Sequence, residues 1–238
     1  MSDNTTTVRE KMTRNAAQRQ AILEEACLLF IEKGFGGTNI QDLADAAGLT
    51  RTAVYHYFPS KEAMLEALTE DVTERASQLA ASVSLRDDVP AEEALQQLIT
   101  QHAGLILSLP LQFRVVERSE SSLPEAHRAA AQAARRGVLD HFTRVIQRGI
   151  REGTFRPVDA HVAAFSIIGM CNWCAWWFDV NGEASAKEVA SMIAEFGLRG
   201  LLTVKPRRSR PVSITDTLNQ MRDAMAVLER QVSHLSSR

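Results

Sequence analysis

Residues 38–61, TNIQDLADAAGLTRTAVYHYFPSK, set two short helical segments between a glycine and a proline. No other stretch constrains the fold as tightly, because neither segment is long enough to be stable alone. Thr38, with Gln41 three residues on, reads as a capping box opening the first segment. Ile40, Leu43, Ala44 and Ala47 then share one face at helical spacing. Gly48 is placed to stop that helix in the left-handed conformation that only glycine adopts without a Cβ penalty. Thr50 can cap the second helix, residues 51–58, and Pro59 ends it by denying the α region to its predecessor. Neighbours must hold both helices, so their outer faces are free for a task other than packing.

Arg51 and Thr52 sit in the first turn of the second helix, where base edges are read when such a helix enters a major groove. Tyr55 and His56 follow one turn later, with Tyr57 and Lys61 beyond them. Hydroxyl, imidazole and ammonium donors are the groups that grip phosphate oxygens and fix register. Lys61 also lies beside the amides of a helix capped by Ser60, a natural phosphate seat. The plain alternative is a solvated helical hairpin with aromatic core residues, a role that fits Val54 and Phe58. Tyr-His-Tyr between a cap and Pro-Ser-Lys is poor core composition, which favours the nucleic-acid reading.

These residues carry a family resemblance. Residues 15–68 resemble the helix-turn-helix domain of TetR-family transcriptional regulators. The pattern appears as Gly34-Phe35, Thr38, Ile40, Leu43-Ala44, Ala47-Gly48-Leu49, residues 54–58 (VYHYF), Ser60-Lys61-Glu62 and Leu65. The match is specific and covers about a quarter of the chain. It implies that Gln41, Arg51, Thr52, Tyr55, His56, Tyr57 and Lys61 contact DNA, and Thr38 and Thr50 at the two helix starts complete the candidate set. It implies further a double-stranded operator as partner, a homodimer, and repression relieved by a small effector. Half-site centres are then expected about 34–36 Å apart, one helical turn, or a small multiple. The remaining chain has the length of the family's ligand-binding and dimerisation half.

Composition sets limits on how such a protein binds. Lys and Arg total 27 against 29 Asp and Glu, so bulk charge cannot supply DNA affinity. Even residues 1–61 hold seven basic and seven acidic side chains, so the acids, Glu24, Glu25 and Glu32 among them, must face away from the duplex. No apolar run suggests a membrane span or a signal peptide, and a cytoplasmic protein is expected. Three cysteines do not make a disulfide framework. There is no Gly-rich phosphate loop, no G-x-S-x-G and no paired metal motif, so no enzyme, cofactor or metal site is expected.

The fold expected from periodicity is all-α, since no run alternates with period two. A disordered arm over residues 1–13 precedes a three-helix DNA-binding domain at 14–66 and a helical ligand-binding and dimerisation domain at 67–204. In the second domain, helical stripes run over residues 91–109, 111–121 and 124–152. An apolar pocket between these and the next helix is expected to be lined by Leu105, Leu109, Phe113, Val116, Phe142, Ile146, Phe165, Ile168 and Trp173. His102, His127, His141 and His161 each stand alone, where a satisfied or solvated imidazole is the default. Glu117, Arg118 and Glu120, near the pocket mouth, read as a solvated face rather than an acid/base set.

Residues 159–179 are apolar nearly all round, the signature of a helix buried on both sides. Asn181-Gly182 turns the chain, Ser185 with Glu188 forms another capping box, and Ala186, Ala190, Gly197 and Gly200 permit close approach in the next helix. Residues 159–202 are therefore expected to pair across a two-fold axis as a four-helix bundle, the alternative being a larger monomeric core. GIREGTFRP at 149–157, the Trp-rich helix and LRGLL at 198–202 resemble a subgroup of the family that responds to acyl-CoA thioesters. That subgroup often carries an arginine in the Trp-rich helix, where Ile168 and Trp176 stand here. The expected effector is largely apolar, a fatty acid or acyl-CoA among the candidates. Cys171 and Cys174 form a C-x-x-C, but mid-helix in an apolar run they read as packing residues. A redox sensor acting through them and a helical interaction protein that binds no DNA are the alternatives to a repressor.

Residues 205–211, KPRRSRP, read as a stiff basic linker. Beyond it Ile214, Leu218, Met221, Met225, Leu228, Val232 and Leu235 alternate spacings of four and three, a coiled-coil seam over residues 212–238. Such a helix can extend the dimer, or pack back onto its own domain.

Overall fold

A computed structural model of the chain describes residues 3–86 and 88–203, together with Met221, Arg222 and Met225. The basic linker and the heptad helix expected at 205–238 lie outside the described residues, those three positions apart. The helices are α1 (Asp3–Glu32), α2 (Gly34–Gly37), α3 (Ile40–Ala46), α4 (Arg51–Tyr57), α5 (Lys61–Ser84), α6 (Ala91–Ser108), α7 (Pro110–Ser119), α8 (Glu125–Arg151), α9 (Ala160–Trp177) and α10 (Ala186–Leu201), with a 3-10 turn at Glu120–Ser122. The fold is all-α, as the periodicity predicts. Among the described residues the one extended pairing is an isolated bridge between Phe155 and Leu202.

Helix ends follow the local chemistry with two corrections. The capping box of α3 is made by Asn39 and Asp42, not by Thr38 and Gln41: Asn39 accepts from the Asp42 amide at 3.0 Å and Asp42 accepts from the Asn39 amide at 3.1 Å. Asn is as good an N-cap as Thr, and starting one residue later frees Thr38 for the interior. The arm expected to be disordered at 1–13 is instead helical from Asp3, because no breaker separates it from the packed part of α1 and extending an existing helix is easy. Gly48 has φ +64°, the left-handed stop the sequence calls for, and Thr50 accepts from the Ala53 amide to start α4. The Ser185–Glu188 box opens α10 as expected.

Two cores hold the helices. The smaller gathers Ile22, Ala26 and Phe30 of α1 around Leu43, Val54, Phe58 and Leu65, and closes with Phe113, Val115 and Val116 of α7. The larger joins α5, α6, α8, α9 and α10 through residues such as Leu98, Ile99, Phe142, Ile146, Cys171 and Ala194. α5 runs through the expected boundary near residue 66, giving Leu65, Leu68 and Val72 to the smaller core and Ala80 and Val83 to the larger. At Gly197 a Cβ would lie 3.0 Å from Ile99 Cδ1, so the missing side chain is what lets α10 lie against α6. α9 buries Ala164, Ile167, Cys171 and Cys174 on one side, while Val162, Phe165, Trp173 and Trp177 stand exposed on the other.

Candidate functional site

α4 shows the two faces that a short reading helix needs. Val54 is buried and the Phe58 cap is buried beside it, with the Arg19 guanidinium of α1 4.7 Å above the Phe58 ring. Arg51, Thr52, Tyr55 and His56 are exposed together on the outer face, with Thr50 at its start and Gln41 on neighbouring α3. Arg51 donates to the Tyr55 hydroxyl at 3.1 Å and also lies over its ring, so the two side chains present as one unit. Gln41 donates to Asp45 at 2.7 Å. Tyr57 is half-buried, its ring edge-on to His56.

Two of the sequence candidates sit otherwise than expected. Thr38 is only 2% exposed and its hydroxyl donates to the Gly34 carbonyl at 2.9 Å, with Leu29 O at 3.3 Å, so its side chain ties α1 to the loop instead of facing outward. Lys61 points back into the unit: its ammonium donates to the carbonyls of Phe35 at 2.9 Å and Thr38 at 3.0 Å and sits over the Phe35 ring. It clips α2 to the start of α5, leaving one of three donors for anything outside. The capped face of α3 is locked in turn by a Lys33–Asp42 ion pair at 3.1 Å. The backbone amide of Asn39, then Lys33, holds the Asp42 carboxyl below its usual range.

Behind this unit lies a cavity of about 430 Å³ between α5, α6, α7, α8 and α9. That volume suits a small organic ligand. Phe113, Val116, Phe165 and Ile168 line it as the sequence predicts. Phe142 and Ile146 do not: both are fully buried in the larger core one to two turns further along α8. Leu105 and Leu109 are half-buried off the cavity wall, and Trp173 is on the outer face of α9, stacked on Trp176. Periodicity marks the inward face of a helix but not which turn of that face meets a void. Glu117 lines the cavity, near the mouth where the sequence reading put it, but the rest of the polar wall was missed: His102 and Asn172 on the inner side, Arg135, and the exposed Gln132 and Arg136 at the mouth. The visible signal was His102 itself, an imidazole in the otherwise aliphatic stripe of α6.

Charge in the cavity is organised. Arg135 pairs with Glu120 at 2.5 Å and reaches Glu117 at 4.0 Å. Burial pushes the Glu117 carboxyl upward, against the pull of Arg135. Burial also depresses His102, so its imidazole is neutral, and its Nε2 lies 3.2 Å from Asn172 Oδ1. The three cysteines are reduced and buried, and burial pushes the Cys171 thiol up to about 12. Among the described residues no three metal-ligating side chains cluster, and no helix is long and apolar enough to cross a membrane.

A capped, polar-faced second helix in a three-helix unit, joined to a helical half around a cavity, defines a helix-turn-helix regulator of the ligand-responsive kind. The chain belongs to the TetR family of transcriptional regulators. The family model "Bacterial regulatory proteins, tetR family" matches residues 22–68, and "Tetracyclin repressor-like, C-terminal domain" matches residues 88–201. The regulator PfmR from Thermus thermophilus is 32% identical, with TM-score 0.68 over 75% of this chain and 97% of that one. The transcriptional repressor KstR2 of Mycolicibacterium smegmatis is 22% identical over 194 residues, 78% of this chain and 91% of the relative. AibR, in a structure with isovaleryl coenzyme A and operator DNA, is 25% identical with TM-score 0.64, over 75% of this chain and 97% of that one. The protein is therefore a DNA-binding transcription regulator rather than an enzyme.

Proposed function

We propose that this regulator is a homodimeric repressor that leaves a pseudo-palindromic operator when a largely apolar effector fills the cavity. One observation carries the coupling: Ile106, Phe113 and Val116 line the cavity and are also members of the core that holds α1, α3 and α4. An effector that moves those side chains acts directly on the packing of α1, and through it on the spacing of two reading helices. Such a ligand must bind one arrangement better than the other to shift the population. Arg51, Thr52, Tyr55 and His56, with Gln41, Thr50 and Tyr57, supply the DNA contacts. Dimerisation through residues 159–202 would cover the exposed Val162, Phe165, Trp173, Trp177, Met192 and Phe196, an apolar patch of the kind that marks an interface. Fatty acids and acyl-CoAs are the effector classes supported by the apolar walls, and the isovaleryl coenzyme A held by similar AibR points the same way.

The test pairs two measurements. Mobility shift on the DNA flanking the protein's own gene should show a dimer-sized complex, and thermal-shift screening of fatty acids, acyl-CoAs and aromatic acids should find a stabilising effector that dissolves it. Absence of any shift would favour an interaction protein that does not bind DNA, and stabilisation by strongly polar molecules alone would rule out the apolar effector.

A further inference from the structure

The polar side chains of the cavity are not equivalent. Thr73 is satisfied, its hydroxyl donating to the Thr69 carbonyl at 2.8 Å. Arg135 is held by Glu120 and Glu117, and Gln132 donates to the same Glu120 at 3.3 Å. What remains is one pair on the inner wall and one cation at the mouth. His102 is buried, and its ring is wedged edge-on against Phe142 with centroids 5.8 Å apart. Its Nε2 faces Asn172 Oδ1 at 3.2 Å. With that oxygen as acceptor, His102 carries its proton on Nε2, and the Asn172 amide oxygen is turned toward the imidazole. The Asn172 amide nitrogen then keeps both hydrogens with no protein acceptor among the described residues, facing a cavity whose walls are mainly apolar.

An unpaired donor in such a place discriminates strongly, because a ligand lacking a matching atom leaves it unsatisfied. A carbonyl oxygen is the match. A hydroxyl has to place its own hydrogen as well, and among mainly apolar walls the Asn172 oxygen, already bonded to His102, offers it only a second lone pair. At the mouth, exposed Arg136 has no carboxylate partner among the described residues. Guanidinium groups grip carboxylates and phosphates with paired donors.

We infer that the effector is a medium-length acyl compound whose carbonyl is read by the Asn172 amide, oriented by His102, while an anionic outer end rests on Arg136. This rests on the cavity being the effector site. Asn172 and Arg136 touch the ligand, and His102 is a positioning residue that fixes which edge of the amide faces inward. A ketone within a carboxylic acid and a thioester on an anionic carrier share this chemistry.

The experiment uses the full-length protein and titrates decanoate, decanoates with one keto group at each of carbons 3 to 9, their hydroxy counterparts, and S-octanoyl mercaptoacetate. Tryptophan fluorescence reads the dissociation constants. At least one keto acid or the thioester should bind about tenfold or more tighter than decanoate and than the matching hydroxy acid. Keto acids and the thioester differ in where the carbonyl sits, so the tighter of the two identifies the source. Asn172→Ala should erase that ratio while decanoate binding persists. Asn172→Asp, which keeps the size and removes the donors, should erase it too if the alanine variant folds poorly. His102→Ala should lose the ratio and His102→Gln, which restores an N–H donor, should retain it. Arg136→Gln should weaken every anion several-fold and reduce the salt dependence. Decanoate binding with no preference for a carbonyl at any position, or a preference for the hydroxy acids, overturns the inference and leaves the effector cavity standing. No binding by any decanoate or by the thioester, or binding undiminished by a cavity-filling Ala134→Trp, overturns both.

Discussion

The outer faces of α4 and α9 are both exposed in a single chain and are opposite in kind. α4 shows Arg51, Thr52, Tyr55 and His56, groups that water satisfies until a phosphate or base replaces it. α9 shows Val162, Phe165, Trp173 and Trp177, with Phe165 67% and Trp173 63% exposed, and α10 adds Met192 and Phe196. The first face can wait for its partner indefinitely. The second is a standing liability, since a contiguous apolar patch left open invites association. The lesson is that exposure alone says little, and the chemistry of the exposed face tells whether its partner is conditional or permanent.

The largest expected effect comes from breaking the apolar face, whose cover we propose to be a second copy of the chain. Phe196→Asp places a charge on the exposed apolar face of α10, where the proposed interface would have to bury it unpaired. Analytical ultracentrifugation should show a monomer with helical content intact, and operator affinity should fall about a hundredfold or more, because two half-sites no longer act together. A dimer that survives this change would move the interface away from α9 and α10. The matching change on the conditional face, Arg51→Ala, should leave the dimer untouched. It should lower operator affinity by about 1–3 kcal/mol while non-specific binding falls far less, as expected for lost base contacts. Equal losses on operator and random DNA would instead make Arg51 a phosphate contact.

The same contrast explains what could be read before the structure was known. The helix-turn-helix was legible nearly residue by residue because its short helices are specified locally, by Gly48, by the Thr50 cap and by Pro59. The errors there are one-residue and tertiary: the cap moved from Thr38 to Asn39, and Lys61 turned inward because the Phe35 and Thr38 carbonyls lie within its reach. The cavity was legible only as a general apolar region. Its walls are turns of five helices that meet nowhere in sequence, so Phe142 and Ile146 were indistinguishable from true lining residues. Asn172 carried no local signal, being one polar residue in a Trp-rich run whose partner, His102, lies seventy positions away.

A smaller effect tests the inward turn of Lys61. Replacing it with methionine keeps the stem over Phe35 but removes both carbonyl contacts, and should cost about 1–2 kcal/mol of stability. Because two of its three donors are spent inside, the salt slope of operator binding should change by less than the full unit that a free phosphate contact gives. A full unit lost with no change in melting temperature would return Lys61 to the phosphate role and make the clip incidental.

The smallest expected effect belongs to the C-x-x-C pair, which the sequence reads as packing residues with a redox switch as the alternative. Cys171 and Cys174 lie three residues apart on the buried side of α9, and Cys27 lies in the core of the DNA-binding unit. A thiol reacts as its thiolate, and burial is the first cause raising all three, with Cys27 and Cys171 each pushed up to about 12. At neutral pH a thiol of that kind is ionised to only on the order of one part in 10⁵, and closed packing denies the reagent access as well. Native protein treated with Ellman's reagent should therefore stay almost unlabelled until denaturant is added, when all three thiols should react. Operator affinity should survive mild peroxide unchanged, and Cys171→Ser should alter stability modestly and redox behaviour not at all. Rapid native labelling, together with a peroxide-induced loss of operator binding that reductant reverses and Cys171→Ser abolishes, would place the switch in α9 after all. That result would make the buried side of α9, rather than its exposed side, the more responsive of the two.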